Sequence, residues 1–208
     1  MTEQCVYIVD DDEAMRDSLQ WLIESQGLAV RTFAAAERFL AACGDAMAGC
    51  IVLDVRMPGM SGLELYEKMN LRRCTLPVIF ITGHGDVPMA VSALKKGAVD
   101  FIEKPFNDKE LLRVIGECLA RERDTRAQRR RENETARRLA GLTEREREVM
   151  ELVLAGKLNK QIADVLNISI KTVEVHRARI MDKMAVRSVA ELVQAVMPHR
   201  STQQGAEK

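Results

Sequence analysis

The chain has 208 residues, 47% of them hydrophobic and 30% charged, which is ordinary for a soluble globular protein of one or two domains. Its formal net charge of zero hides a division, because residues 1–120 hold 12 Lys and Arg against 18 Asp and Glu, whereas residues 121–208 hold 19 against 13. Such asymmetry predicts an acidic module joined to a basic one that binds a polyanion.

Composition and cysteine spacing argue against secretion, membrane insertion and a cysteine-built metal site. The first residues lack the basic and long apolar segments of a signal peptide, and no run of about 18 apolar residues occurs anywhere. The cysteines are odd in number and have no CxxC spacing. We therefore expect thiols in a reducing cytoplasm and no membrane partner.

Apolar runs that alternate with amphipathic segments predict five strands and five helices in the acidic half. The strands are expected at residues 5–10, 28–33, 51–54, 77–82 and 98–102. The helices are expected at residues 15–25, 34–42, 63–69, 88–96 and 108–120, the last capped by Asp108. This alternation predicts an α/β fold with a doubly wound, five-stranded parallel sheet in residues 1–120.

A charged linker and a helical domain are predicted in the basic half. Residues 121–138 contain eight Arg, four acids and no large apolar residue, which favours a partly helical linker over a nucleic-acid contact. Beyond it, helices are expected at residues 144–154, 161–166, 170–184 and 188–196, with the first capped by Thr143 and the third by Ser169. Residues 139–200 thus predict a separate all-α, four-helix helix-turn-helix domain, followed by a polar tail at 201–208.

Polar side chains collect at the carboxyl edge of the predicted sheet, where doubly wound folds bind ligands. Asp10 and Asp11 follow the first strand, Asp54 ends the third, Thr82 ends the fourth, and Lys104 follows the fifth. The carboxylates offer hard oxygen ligands for Mg²⁺, and Asp54 could attack a phosphoryl group in line. The lysine and the threonine hydroxyl could bind the transferred oxygens, although each residue alone would also suit an ordinary surface or cap role.

The predicted helix at residues 170–184 has an apolar stripe and an opposite, partly basic face. Val173, Ile180 and Met184 form the stripe, which also contains the stem of Arg177. The opposite face and its flanks comprise Lys171, Thr172, Glu174, Val175, His176, Ala178 and Arg179. Such a face suits the major groove of DNA, with basic residues on phosphates.

Two residues of that face could read bases directly. Val175 could touch a thymine methyl group, and Glu174 could accept a hydrogen bond from a cytosine amine. An ion pair of Glu174 with Lys171 or Arg177 explains the same residue equally well.

Four segments of the acidic half, VDDDEAMR, IVLDVRMPGMSG, VIFITGHGD and DFIEKPF, resemble the successive motifs of two-component receiver domains, which have a flavodoxin-like fold. The resemblance implies phosphorylation of Asp54 by a sensor histidine kinase, and Mg²⁺ (or Mn²⁺) at the acidic pair Asp10 and Asp11 with Asp54 and the Arg56 main-chain carbonyl. It also implies a cis Lys104–Pro105 bond and a homodimer through residues 88–103. The residues it assigns to phosphate sensing are Thr82, Phe101 and Lys104, and those it assigns to tuning the phosphate lifetime are Arg56 and His84. Core packing explains Phe101 as well.

The segment from Leu142 to Met184 resembles the LuxR-type helix-turn-helix, so that the whole chain is similar to FixJ-type members of the NarL/FixJ response regulators. This implies binding to promoter DNA as a dimer on paired half-sites, with Asn159 and Lys160 on the DNA backbone just before the second helix. It further implies regulation, and most simply activation, of transcription by RNA polymerase in the bacterial cytoplasm.

Two other function classes compete with this interpretation. Aspartate-nucleophile phosphatases carry a second acid two residues after the first, and Arg56 stands at that position, which argues against an enzyme. A receiver that has lost its response would bind DNA constitutively, but Asp54, Thr82 and Lys104 argue against that loss. The sequence therefore predicts a phosphorylation-switched regulator with at most slow autodephosphorylation.

Overall fold

A computed structural model describes residues 4–44, 46–72, 74–83 and 97–204, with side chains up to residue 197. The chain divides into two compact units, residues 1–126 and residues 127–208.

A five-stranded parallel sheet forms the centre of the first unit. Its strands run in the order β2-β1-β3-β4-β5. Every pair is parallel, which confirms the parallel sheet that the sequence predicts. The strands are β1 (Cys5–Val9), β2 (Ala29–Phe33), β3 (Gly49–Asp54), β4 (Val78–Thr82) and β5 (Asp100–Glu103). All residues of β1, β3 and β4 are buried, which explains why these strands are continuous apolar runs.

Helices cover both faces of the sheet. They are α1 (Glu13–Glu24), α2 (Ala36–Ala42), α3 (Gly62–Leu71) and α4 (Asp108–Ala140), while the helix predicted at residues 88–96 lies outside the described residues. One core layer contains Phe39 and Leu65, and the opposite layer contains Ile23 and Leu111. These two layers hold the carboxyl edge of the sheet in place.

Helix α4 differs from its prediction at its start and includes the predicted linker at its end. The cap is Asn107 rather than Asp108, because the Lys109 N–H donates to Asn107 Oδ1 over 2.9 Å and Asp108 is already helical. Beyond residue 120 the helix continues to Ala140, so the segment predicted to be a partly helical linker is helical throughout. Glu122 is buried there and accepts a 2.7 Å hydrogen bond from the Gln4 amide.

The second unit packs short helices around a core that includes Val149, Ile162, Val173 and Leu192. The helices after α4 are α5 (Glu144–Leu154), α6 (Asn159–Leu166), α7 (Ile170–Met184) and α8 (Val189–Gln204). Thr143 and Glu146 form the predicted capping box of α5, and Ser169 caps α7 as predicted.

Two ends of these helices differ from the sequence prediction. Helix α6 begins at Asn159 rather than at residue 161, because the Gln161 side chain accepts the Leu158 N–H over 2.9 Å and closes an earlier first turn. Helix α8 reaches Gln204 rather than residue 196, so it extends into the predicted tail.

Within the described parts of the chain, no helix combines the length and the apolar character needed to cross a membrane.

Candidate functional site

Two buried carboxylates converge on one lysine at the carboxyl edge of the sheet. The Lys104 ammonium lies 2.6 Å from Asp54 Oδ1 and 3.1 Å from Asp10 Oδ2. Asp10 and Asp54 are 2% and 7% exposed, so neither carboxylate can rely on bulk water for solvation. The strands β1 and β3 lie side by side and deliver the two acids, and Lys104 follows β5.

Main-chain groups fix the remaining carboxylate oxygens. The Arg56 N–H donates to Asp54 Oδ2 over 2.7 Å, and the Asp12 N–H donates to Asp10 Oδ1 over 2.9 Å. Each acid therefore has one oxygen held by the backbone and one held by Lys104. Carboxylates fixed in this way are oriented before any ligand arrives.

The pKa values reflect competition between burial and pairing. Burial raises the pKa of Asp54 above its ordinary value, although hydrogen bonding and charge from Lys104 and the Arg56 N–H act in the opposite direction. Burial lowers the pKa of Lys104, but its hydrogen bonds to Asp54 and Asp10 outweigh that effect and leave the pKa raised. The lysine is therefore a cation at neutral pH.

Gly62 permits close packing of the main chain against the end of β3. A Cβ atom at this position would lie 2.0 Å from the Asp54 carbonyl oxygen. The Gly62 N–H donates to the Val55 carbonyl over 3.0 Å, which anchors the start of α3 to the loop after Asp54. Any side chain at residue 62 would displace the main chain of Asp54.

The other predicted receiver residues occupy separate positions around this centre. Asp11 is exposed, whereas Thr82 is fully buried and its hydroxyl donates to the Gly83 carbonyl over 3.2 Å. Phe101 is half-buried on β5 and packs against the core layer that contains Phe39. The structure thus brings together Asp10, Asp54 and Lys104 directly. The Lys104–Pro105 peptide bond is cis, as the resemblance implies.

Two further predictions fall wholly or partly outside the described residues. His84, proposed to tune the phosphate lifetime, is one of them. The predicted dimer face at residues 88–103 is described only from residue 97 onward.

The donor set fits a hard divalent cation. Among the described residues, no three His, Cys, Asp or Glu side chains are arranged as a ready metal cluster. Mg²⁺, however, keeps several of its waters and needs few protein ligands. Asp10 and Asp54 already share one cationic partner, so the same two carboxylates can share a metal ion, with Asp11 and the Arg56 carbonyl close by in sequence.

Arg16 is a residue that the sequence reasoning missed. Its Nη1 donates to the main-chain carbonyls of Asp10 and Asp11, each over 2.9 Å. It thereby ties the acidic loop to α1 and adds positive charge beside the carboxylates. The available signal was composition, because Arg16 is the sole Lys or Arg in the first thirty residues.

The second unit presents the predicted face of α7 to solvent. Val173, Ile180 and Met184 are buried as expected, and Arg177 is half-buried. The exposed residues of the face are Lys171, Glu174, Val175, Ala178 and Arg179, and the half-buried ones are Thr172 and His176. Asn159 and Lys160 lie within the first turn of α6 rather than before it.

The sequence left two roles open for Glu174, a contact with a base or an ion pair with Lys171 or Arg177. Within the described residues, the structure shows neither of these ion pairs. Its carboxylate is exposed on the face that also carries Val175. It is therefore accessible to a hydrogen-bond donor on a partner molecule.

Comparison with known proteins matches both units. The family described as a response regulator receiver domain matches residues 6–116, and the luxR family of bacterial regulatory proteins matches residues 140–196. The transcriptional regulatory protein FixJ of Azorhizobium caulinodans is 48% identical over 192 residues, which are 92% of this chain and 91% of that protein. The C4-dicarboxylate transport transcriptional regulatory protein DctR of Rhodobacter capsulatus is also 48% identical, over 90% of this chain and 96% of its own.

Solved structures agree with the sequence comparison. The response regulator StyR superposes with a TM-score of 0.89 at 43% identity, covering 94% of this chain and 99% of its own. Full-length FixJ from B. japonicum has a TM-score of 0.59 at 45% identity, covering 95% of this chain and 97% of its own.

Proposed function

Because this chain belongs to the FixJ-like two-component response regulators, which join a receiver domain to a LuxR-type DNA-binding domain and regulate transcription, we propose that Asp54 accepts the phosphoryl group. The observation that carries this proposal is the convergence of Asp54, Asp10 and Lys104 at the carboxyl edge of the sheet. The donor is the phosphohistidine of a sensor histidine kinase.

The contacts around Asp54 support the following mechanism for the transfer. A carboxylate oxygen of Asp54 attacks the phosphorus while the bond from phosphorus to the histidine nitrogen breaks. The Arg56 N–H holds the orientation of the acceptor carboxylate, and Lys104 neutralises oxygens of the incoming phosphoryl group. Lys104 stays within reach because Asp10 holds its ammonium as well.

A divalent cation completes the charge balance. Mg²⁺, or Mn²⁺ in its place, would be held by Asp10, Asp11, Asp54 and the Arg56 main-chain carbonyl, and it supplies positive charge to the phosphoryl oxygens. Without such a cation, the carboxylates and the phosphoryl group would repel each other.

Switching follows from new contacts at the phosphorylated site. Thr82 carries a buried hydroxyl that can turn from the Gly83 carbonyl to a phosphoryl oxygen, and Phe101 on the neighbouring strand can repack in response. We propose that this shift favours a homodimer through residues 88–103. The dimer binds paired half-sites in promoter DNA and activates RNA polymerase, in the bacterial cytoplasm.

DNA recognition is assigned to α7 and the start of α6. We propose that Lys171, Arg177 and Arg179 contact phosphates, together with Asn159 and Lys160. Glu174 and Val175 are placed on base edges, because both are exposed on one face, with Thr172, His176 and Ala178 beside them.

We do not propose an enzyme that turns over an external substrate. The position two residues after Asp54 holds Arg56, where aspartate-based phosphatases need an acid. Only slow loss of the chain's own phosphoryl group is expected, and an assay with a phosphate-ester substrate and Mg²⁺ separates the two activities.

The test is replacement of Asp54 by Asn, which keeps the size of the side chain and removes the acceptor. We expect no phosphate incorporation from acetyl phosphate or from a kinase, and no phosphate-dependent dimer or gain in DNA binding. Incorporation is measured by mass spectrometry, and dimerisation is measured by size-exclusion chromatography.

The matched control is Asp12→Asn, because the Asp12 side chain caps α1 and does not touch Lys104. It should retain phosphate incorporation. Phosphate-dependent dimerisation that persists in Asp54→Asn would rule out Asp54 as the switch.

A further inference from the structure

Two thiols meet on the face of the sheet that α2 and α3 cover. Cys43 follows the last turn of α2, and Cys74 lies between α3 and β4. The Cys43 thiol donates to Cys74 Sγ, and the two sulfurs are 3.2 Å apart. A disulfide bond is about 2.0 Å long, so the sulfurs need to approach by only about 1 Å more to become bonded.

This pair also differs from the other cysteines in exposure. Cys43 and Cys74 are half-buried, whereas Cys5, Cys50 and Cys118 are buried. Burial raises the pKa of Cys50 well above its ordinary value and that of Cys118 to about 11. Since the thiolate is the reactive form and oxidants arrive from solvent, the half-buried pair is the preferred point of attack.

We propose that Cys43 and Cys74 are a redox modification site, at which peroxides convert the two thiols into an intrachain disulfide. Cys43 and Cys74 are 31 residues apart in sequence and belong to the same compact unit, so the disulfide forms within one chain. A reducing compartment keeps the thiols reduced, and the disulfide is the product of oxidative conditions.

The chemistry balances with peroxide as the oxidant. One thiolate attacks a peroxide oxygen, the O–O bond breaks, and a sulfenic acid and water form. The second thiolate then attacks the sulfenic sulfur, the S–S bond forms, and the S–O bond breaks to release a second water. In total the two thiols lose two electrons and two protons, and one hydrogen peroxide takes up both and is reduced to two waters. A small dithiol reverses the modification by thiol–disulfide exchange.

The position of the cysteine pair predicts how the disulfide affects the receiver. Cys43 precedes β3 and Cys74 precedes β4, so both lie toward the amino edge of the parallel sheet, whereas Asp54 is at the carboxyl edge. The disulfide would close a loop that contains β3 and α3. It should stabilise the receiver and leave the acceptor chemistry unchanged, so this inference stands independently of the proposed function.

The experiment uses the full-length reduced protein, treated with one equivalent of hydrogen peroxide and then alkylated without reduction. Peptide mapping by mass spectrometry should show the Cys43 and Cys74 peptides joined, with the mass of two hydrogen atoms lost. The melting temperature of the receiver should rise by roughly 5 °C and return with dithiothreitol. Phosphate incorporation from acetyl phosphate should stay within about twofold.

Matched variants separate this pair from the buried cysteines. Cys43→Ser and Cys74→Ser should each abolish the joined peptide and the rise in melting temperature, whereas Cys118→Ala should retain both. The peptide map of the oxidised wild-type protein shows whether Cys43 and Cys74 are joined even where a variant folds poorly. A fully reduced map, a disulfide between chains, a different cysteine pair, or loss of phosphate incorporation on oxidation would each overturn the proposal.

Discussion

Arg16 shows that a single side chain can organise the loop that carries Asp10 and Asp11 without touching a carboxylate. Its guanidinium donates to the carbonyls of Asp10 and Asp11, and so fixes the main chain that carries both acids. The Asp12 side chain secures the same loop by accepting the Ala14 N–H over 3.0 Å as the cap of α1. Outer contacts of this kind set metal affinity by orienting ligands.

Arg16→Gln should therefore weaken Mg²⁺ binding by roughly tenfold, because the acidic loop loses the two carbonyl contacts that orient its carboxylates. This effect opposes, and should outweigh, the removal of a positive charge that repels the cation. Isothermal titration calorimetry of the unphosphorylated protein measures the Kd. The matched control is Arg113→Gln, which removes only an exposed ion pair with Glu117 on α4. A purely structural role for Arg16 would lower the melting temperature but leave the Kd for Mg²⁺ unchanged, and that result would contradict the prediction.

The sequence anticipated the centre of this site better than its surroundings. Asp10, Asp54 and Lys104 could be placed together because the carboxyl ends of parallel strands meet at one edge. Arg16 could not be assigned, because an arginine that binds main-chain carbonyls needs no motif and resembles any solvent-exposed helical residue. The contact of Cys43 with Cys74 was hidden for a similar reason, since it depends on how two loops pack.

Glu146 provides the clearest residue-level pH dependence in the second unit. Its side chain is 3% exposed, and Oε2 accepts from Lys183 Nζ over 2.6 Å and from the Thr143 N–H over 2.9 Å. The lysine first, and then the Thr143 N–H, lower the pKa of Glu146 from 4.5 to about 2. The folded unit thus binds fewer protons than the unfolded chain between these values, and the stabilisation is lost as pH falls.

Glu146→Gln should reduce the stability of this unit by about 1 kcal/mol, a modest figure because Lys183 remains in contact with water. The difference should be fully present above the ordinary pKa and shrink as pH falls through about 2. Carboxyl NMR titration measures the pKa directly, and Lys183→Met should raise it. A wild-type pKa at its ordinary value would disprove the argument.

At the scale of elements, hydrophobic periodicity predicted strands and helices, but local hydrogen bonds set their ends. Asn107 caps α4 although Asp108 has equal capping ability, because the chain enters the helix one residue earlier. Gln161 likewise closes a first turn of α6 that sequence periodicity does not show. The continuity of α4 through a segment without large apolar residues follows from helix propensity and i,i+4 pairs such as Arg138 with Glu134.

Helix α7 separates residues that should supply affinity from residues that should supply specificity. Lys171→Ala should weaken binding to all DNA sequences about equally and lower the slope of log K against log salt by about one. Glu174→Ala should instead relax preference at one base pair, worth about 1–3 kcal/mol, with the salt slope almost unchanged. Fluorescence anisotropy on a footprinted site and its single-base variants measures both effects.

The control for this pair is Lys109→Ala, which removes the same charge from an exposed position of the first unit. It should alter neither the salt slope nor the base preference. Equal loss of affinity on every DNA sequence for Glu174→Ala would show that its carboxylate does not contact a base.

At the scale of the whole molecule, the negative charge that phosphorylation adds opposes the gain in DNA affinity expected on activation. Residues 1–126 hold 15 Lys and Arg against 20 Asp and Glu, and residues 127–208 hold 16 against 11. Phosphorylation replaces the single negative charge of the Asp54 carboxylate by the charge of a phosphoryl group, about −1.5 to −2, so the acidic unit gains at most about one negative charge. Electrostatics alone would therefore make the phosphorylated chain a weaker DNA binder, so we attribute a gain in affinity to assembly on two half-sites rather than to charge.

This reasoning predicts a different result for one half-site and for two. On a footprinted promoter, phosphorylation should increase affinity by roughly 100-fold, because the second subunit binds at a high effective concentration. On the same DNA with one half-site scrambled, the gain should disappear or reverse slightly, owing to the added negative charge. Anisotropy titrations with both DNAs, with Asp54→Asn as the unphosphorylated reference, measure the two gains. An equal gain on both DNAs would mean that phosphorylation acts within one chain, by releasing α7 rather than by pairing two copies.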